Sequence, residues 1–200
     1  MYLVGIAGGS GSGKTTFTRR ILQAVNSPAA GILHLDAYYL DALPPELIKN
    51  GEANFDHPEA FDWTLLKHHL EVLKAGGTVA VPTYDYARSR RKRESEVLGP
   101  CRTILFEGIY SLFHPEVRKL LDLMVYLHVD ADIRFIRRLH RDIRERSRTI
   151  DGIIRQYYDT VRPMHHEHLE HQRQYAHLVV GEETELAAGV IAARVAEAIR

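Results

Sequence analysis

Residues 8–15, Gly-Gly-Ser-Gly-Ser-Gly-Lys-Thr, satisfy G-x-x-x-x-G-K-[ST] at every specified position, and no other feature narrows the fold as far. Such a loop needs a strand before it and a helix after it. Its glycines turn successive backbone N–H groups inward around phosphate oxygens, and the helix N-terminus adds partial positive charge. Tyr2 to Ala7 is a short apolar run, as expected of a buried strand, and Lys14 to Val25 reads as a helix. Gly8, Gly9, Ser10, Gly11, Ser12 and Gly13 are therefore expected to cradle a nucleoside triphosphate, ATP or GTP. Lys14 would reach its β and γ phosphates, the Thr15 hydroxyl would bind Mg2+, and Thr16 belongs to the same first helical turn. A glycine-rich turn without nucleotide is the competing reading, disfavoured by Lys and Thr following a strand.

Further strands are expected at Gly31 to Leu35, Thr103 to Phe106, Met124 to Val129 and Leu178 to Val180. Helices are expected from about Ala131 to Arg146 and from Glu185 to Ile199, the latter capped by Thr184. Strands alternating with helices imply an α/β fold of the P-loop NTPase type, three layers with a parallel sheet flanked by helices. Between Asp36 and Thr103 the alternation breaks. A helix near Trp63 to Lys74 is followed by two β-rich runs, Thr78 to Tyr86 and Glu94 to Leu98, flanking a basic tip from Arg88 to Arg93. This reads as a β-hairpin flap, about residues 77–99, inserted into a single domain spanning 1–200.

Two of the strands stop at carboxylates, Asp36 and Glu107, at the end of the sheet where open α/β folds gather their ligands. Mg2+ takes oxygen ligands and keeps several waters, so Glu107 is the first candidate beside Thr15, directly or through water, with Asp36 also within the metal set. Asp36 is equally suited to accept the proton of an attacking hydroxyl. Strand-end acids also serve as helix caps or turn formers.

On the helix after Ala131, Arg134, Arg137, Arg138 and Arg141 share one side, and Phe135, Ile136, Leu139 and Ile143 the other. The apolar side is expected to pack on the sheet. Arg146 and Arg148 fall in a short connection before a helix starting near Asp151, giving an Arg-rich helical lid over about residues 141–162. Arginines there suit the charge on a transferring phosphoryl group, although a solvated face paired with Asp142 and Glu145 is the bland alternative.

The 26 basic residues are balanced by 26 acidic ones, so the whole chain offers no electrostatic footprint for nucleic acid or an anionic membrane. The basic run at Arg88 to Arg93 is read as a solvated hairpin tip. One cysteine, Cys101, allows no intrachain disulfide, and the start at Met1 lacks a basic leader, so a soluble cytoplasmic protein is expected. His165, His166, His168 and His171 look like metal ligands, but the HExxH pattern fails at Glu170.

Taken together, the segments Gly5 to Thr15, Asp36-Ala37-Tyr38-Tyr39, Asn54-Phe55-Asp56-His57-Pro58, Pro82-Thr83-Tyr84-Asp85-Tyr86, Phe106-Glu107-Gly108-Ile109, Arg141 to Arg146 and Val161-Arg162-Pro163 resemble the uridine kinase (uridine-cytidine kinase) family of P-loop kinases. The resemblance runs from Gly5 to about Val180. It implies transfer of the γ-phosphoryl group of ATP or GTP to the 5′-OH of a pyrimidine nucleoside, with Asp36 facing that hydroxyl and Lys14 and Arg141 completing the catalytic set. It implies that Asp56 holds the ribose diol, that Tyr39, Tyr84 and Tyr86 stand around the nucleoside, and that Arg141 and Gln156 lie near it. Arg138, Arg146 and Arg148 would close on the phosphates. A homo-oligomer is implied as well. The family's base-reading histidine is replaced here by Ser89, and Ser147 stands where the family's lid carries glycine, so base preference is open. Two alternatives stand beside this reading: a related kinase acting on another riboside, pantothenate or a sugar phosphate, and a nucleotide-binding switch that does not transfer.

Overall fold

The computed structural model describes residues 1–49, 52–85 and 90–199. In chain order they form β1 (Tyr2–Gly8), α1 (Lys14–Val25), β2 (Ala30–His34), a short pair β3 (Ile48–Lys49) and β4 (Glu52–Ala53), and α2 (Trp63–Lys74). The hairpin β5 (Val79–Asp85) and β6 (Arg90–Leu98) follows, then β7 (Thr103–Glu107), the single turn α3 (Pro115–Arg118), β8 (Leu123–Leu127) and α4 (Ala131–Arg146). The chain ends with α5 (Ile150–Gln156), α6 (Arg162–Met164) between wide π-helical turns at Tyr157–Val161 and His165–Leu169, β9 (Leu178–Val180) and α7 (Thr184–Ile199).

Five strands form one sheet in the order β2-β7-β1-β8-β9, every neighbouring pair parallel. Such a sheet is covered on both faces, and its strands read as nearly unbroken apolar runs whose alternate residues part to opposite sides. Val4, Ile6, Leu105, Val125 and Leu127 pack with Phe17 and Ile21 of α1 and Ile191 and Val195 of α7. Leu3, Ile104, Phe106 and Tyr126 face the other way, into a core with Leu66, Leu70 and Leu73 of α2 and Tyr110, Leu112 and Leu169. Three layers result, as the strand-helix alternation predicts.

The register places the site. β1 lies between β7 and β8, with Ile6 opposite Glu107 and Gly8 opposite Leu127, so the loop leaving β1 emerges beside the end of β7. β2 pairs with β7 on the far side and sets His34 opposite Glu107. Asp36 is not the last residue of β2 but lies in a 3-10 turn, Leu35–Tyr38, just beyond it.

Two expectations are corrected. The basic run is not all hairpin tip, because β6 begins at Arg90 and Arg91 pairs across the hairpin with Tyr84. Arg91 also donates to Asp62 Oδ2 at 3.2 Å and to the Tyr38 carbonyl at 3.3 Å, which anchors it to the body of the protein. Tyr86, Arg88 and Ser89 lie outside the described residues. The second correction concerns α4, which does not pack its apolar side on the sheet. Arg134, Arg138 and Asp142 are its buried residues, one per turn, while Ile136 and Ile143 are exposed. What α4 lies against is the phosphate loop: Arg134 and the backbone at that residue crowd Gly9 and Gly11. A loop built to hold anions makes a cationic helix face the complementary one.

Candidate active site

The loop after β1 takes backbone conformations that side chains resist. Gly11 has φ +82 and Gly13, the N-cap of α1, has φ +90. A side chain at Gly11 would also strike the backbone of Arg134. The first turn of α1 then brings Lys14 and Thr15 to the ends of β1 and β7. Lys14 is buried and donates from Nζ to the Gly9 carbonyl at 3.1 Å, folding the side chain back over the loop. Thr15 Oγ1 donates to Glu107 Oε1 at 3.0 Å.

Lys14, Asp36, Glu107 and His34 meet there, and each is shifted, His34 upward by its hydrogen bond to Glu107. Burial pushes Lys14 below its ordinary value, against the opposing pull of Glu107 and Asp36. Burial pushes Asp36 up, and the negative charge of Glu107 adds to it. For Glu107 burial acts upward too, but the hydrogen bond from His34, the charge of Lys14 and the Thr15 hydroxyl together hold it below the usual carboxylate range. Two carboxylates pushed in opposite directions are the pattern of an ion-binding acid beside a proton acceptor.

Lys14, Thr15, Asp36 and Glu107 line a solvent-open cleft. Ser10, Gly11, Lys14 and Thr15 form one end, and Asp36, Glu107, Gly108 and Ile109 the strand-end floor. The far wall is aromatic: Tyr39 stacks on Phe61 at 4.4 Å between ring centroids and meets Tyr84 at 5.2 Å and Phe55 at 5.5 Å. Asp56 reaches the same space from the loop before α2. Its carbonyl accepts from Tyr110 Oη at 2.6 Å and its Oδ2 from Thr160 Oγ1 at 2.8 Å.

The rim is basic. Arg138 donates from Nη1 to Ser10 Oγ and from Nη2 to Gln156 Oε1, both at 2.9 Å, and Arg148 reaches the same Gln156 oxygen at 2.7 Å. Beneath them lies Asp142, wholly buried. Arg141 approaches its Oδ1 with Nε at 2.9 Å and Nη2 at 2.8 Å, while Arg138, Arg146 and Arg148 stand at 3.6 Å. One buried carboxylate thus hydrogen-bonds Arg141 and stands within ion-pair distance of Arg138, Arg146 and Arg148, so the solvated-face alternative does not hold for these four arginines.

Of the residues singled out by sequence, Ser10, Gly11, Lys14, Thr15, Asp36, Tyr39, Asp56, Tyr84, Glu107, Arg138, Arg141, Arg146, Arg148 and Gln156 converge on this cleft. Gly8, Gly9, Ser12 and Gly13 shape the loop without lining the cleft, and Thr16 is exposed on α1. Tyr86 and Ser89 are outside the described residues. Sequence reasoning missed Phe55 and Ile109 as lining residues, although both lie in the segments that carry the family resemblance. It also missed His34, which contacts Glu107 at 2.7 Å through Nδ1, and Thr160; neither has a local motif.

The profile of the phosphoribulokinase / uridine kinase family matches residues 3–186. The uridine kinase of Deinococcus deserti is 39% identical over 196 residues, 97% of this chain and 95% of its own length. That of Chloroflexus aurantiacus is 41% identical over 200 residues, 99% of this chain and 96% of its own. Among solved structures, a kinase from Silicibacter sp. TM1040 superposes with a TM-score of 0.71 at 26% identity, covering 89% of this chain and 88% of that one. D-glycerate 3-kinase from Cryptococcus neoformans shares the fold, with a TM-score of 0.66 at 17% identity over 92% of this chain and 87% of its own.

Proposed function

This chain belongs to the phosphoribulokinase / uridine kinase family, and we propose that it transfers the γ-phosphoryl group of ATP or GTP to the 5′-hydroxyl of uridine or cytidine, in pyrimidine salvage. The observation that carries the reading is a single cleft joining two kinds of chemistry. Lys14, Thr15, Glu107 and the arginine rim give it the groups a polyphosphate would need, and Asp56 with the aromatic wall gives it those a riboside would need. Asp36 lines the same cleft.

In the mechanism that follows, the riboside places its 2′ and 3′ hydroxyls on the Asp56 carboxylate, a geometry in which one acid accepts two hydrogen bonds. Tyr39, Tyr84 and Phe55 offer faces and edges for the base. That leaves the 5′-hydroxyl at Asp36. Its oxygen attacks the γ-phosphorus, the bond from phosphorus to the bridging oxygen breaks, the nucleoside diphosphate leaves, and the hydroxyl proton passes to Asp36. The raised affinity of Asp36 for a proton suits that task. Lys14, Arg138, Arg141, Arg146 and Arg148 supply fixed positive charge around the transferring group, which has little covalent chemistry of its own to be helped.

The donor set at the strand ends fits Mg2+: a hydroxyl and a carboxylate 3.0 Å apart, Thr15 and Glu107, with Asp36 nearby and every ligand atom oxygen. Bound there, Mg2+ would neutralise phosphate charge. Glu107, held ionised by its neighbours, is the residue ready to face it. Residues 1–200 act as one domain in this reading, with the flap at about 77–99 walling the base and the lid at about 141–162 closing on the phosphates. Among the described residues no helix is long and apolar enough to cross a membrane. A cytoplasmic homo-oligomer without nucleic-acid partners is the setting we assign.

The test is steady-state phosphorylation of cytidine, uridine, adenosine, guanosine and pantothenate with Mg-ATP, following both the nucleoside diphosphate and the phosphorylated product. Turnover strongly dependent on uridine or cytidine is expected. Slow hydrolysis indifferent to every acceptor would overturn the transferase reading in favour of a switch.

A further inference from the structure

The mechanism asks Asp56 to hold a fixed attitude toward a diol, and its backbone and side chain are restrained by different partners. The peptide is tied by Tyr110, which donates to its carbonyl at 2.6 Å, and by Asn54 Oδ1, which accepts from its N–H at 3.1 Å. Neither bond stops the carboxylate from rotating. The side chain is instead met by Thr160, 104 residues further on, whose hydroxyl donates to Oδ2 at 2.8 Å and also lies 3.1 Å from the Gln156 carbonyl. Both atoms are partly buried, where a hydrogen bond to a charged acceptor is worth more than at the surface.

Thr160 sits in the π-helical turn Tyr157–Val161, a rare widening of the helix that recurs at functional sites. The turn directly continues α5, whose last residue, Gln156, receives Arg138 and Arg148. The element that gathers the phosphate-facing arginines is thus also the one that reaches the acid at the riboside end.

Resting on the riboside reading above, we infer that Thr160 is a positioning residue for the acceptor: it fixes the rotation of the Asp56 carboxylate so that the ribose diol finds both oxygens in place. It touches no substrate and takes no part in proton or phosphoryl transfer. Nor does any motif mark it, since its partner lies far away in the chain.

Thr160→Val keeps the shape and removes the donor. The expected result is a KM for uridine or cytidine raised about tenfold, the equivalent of one hydrogen bond to a charged group, with kcat and the KM for ATP moving by less than about twofold. Thr160→Ser, which retains the hydroxyl, is expected to recover most of the loss, and thermal melts of both variants check that the fold is intact. The discriminating readout is the Ki of the matching 2′,3′-dideoxynucleoside as a competitive inhibitor, which has no diol and should be the same for wild type and Thr160→Val. A riboside KM within twofold of wild type, or an equal loss for riboside and dideoxy analogue, overturns the inference while the kinase reading stands. A wild type that phosphorylates no riboside overturns both.

Discussion

Asp142→Asn removes one negative charge and leaves four guanidinium groups around the vacated position. Asp142 is 0% exposed, with contacts of 2.8 and 2.9 Å from Arg141 and 3.6 Å from Arg138, Arg146 and Arg148. Removing one partner of a buried pair costs about 3–5 kcal/mol, because the remaining charge stays uncompensated. Arg141, Arg146 and Arg148 are 33%, 26% and 35% exposed and can turn toward water, whereas Arg138, at 6%, cannot. The lower end, about 3 kcal/mol, is therefore expected. In a chain of this length that is a fall in Tm of about 6–12 °C. Differential scanning calorimetry with and without saturating ATP makes the measurement. Part of the loss should return with ATP, since a polyphosphate supplies negative charge to the same arginines and binds only the folded state. A variant melting within about 2 °C of wild type would refute the idea that this carboxylate organises the rim.

Asp36→Asn is expected to keep the calorimetric affinity for ATP within about threefold while kcat falls at least about 100-fold, the usual share of a positioned proton acceptor; unchanged turnover would remove its role. His165 bears on acid stability. Burial and the charge of Arg134 push it down to about 4, and its Nδ1 is buried with no hydrogen-bond partner among the described residues. The unfolded chain takes up a proton there near pH 6.5 and the folded one only near 4, so stability falls as pH drops through that window. Allowing for partial exposure, about 1–2 kcal/mol should be lost by pH 5. His165→Phe should shrink the difference between urea melts at pH 7 and pH 5 by that amount, and an unaltered difference would show that His165 does not titrate as described.

The helix α4 shows where periodicity stops being informative. Its spacing groups Arg134, Arg137, Arg138 and Arg141 on one side and Phe135, Ile136, Leu139 and Ile143 on the other, but a period says only which residues share a face, and Arg137 stays exposed against Glu182 while Arg134 and Arg138 are buried. Which face turns inward depends on the neighbour, and here that neighbour is the loop from Gly8 to Gly13. The same limit hid Asp142, which looks in sequence like any surface acid among arginines. His34 and Thr160 were invisible for another reason: their partners Glu107 and Asp56 lie 73 and 104 residues away, and nothing local to either signals the contact.

What the chain determines by itself is what contiguous residues can encode. The eight residues from Gly8 to Thr15 carry their own backbone requirements, donors and charge, and the apolar runs around them dictate a parallel sheet with Asp36 and Glu107 at its active end. The tertiary structure alone decided how those pieces bear on one another. Register set His34 against Glu107, α4 turned its arginines toward the phosphate loop, and a widened helical turn brought Thr160 to Asp56. Those outcomes rest on distance-dependent electrostatics and packing between residues remote in sequence, which exist only once the sheet has brought them together.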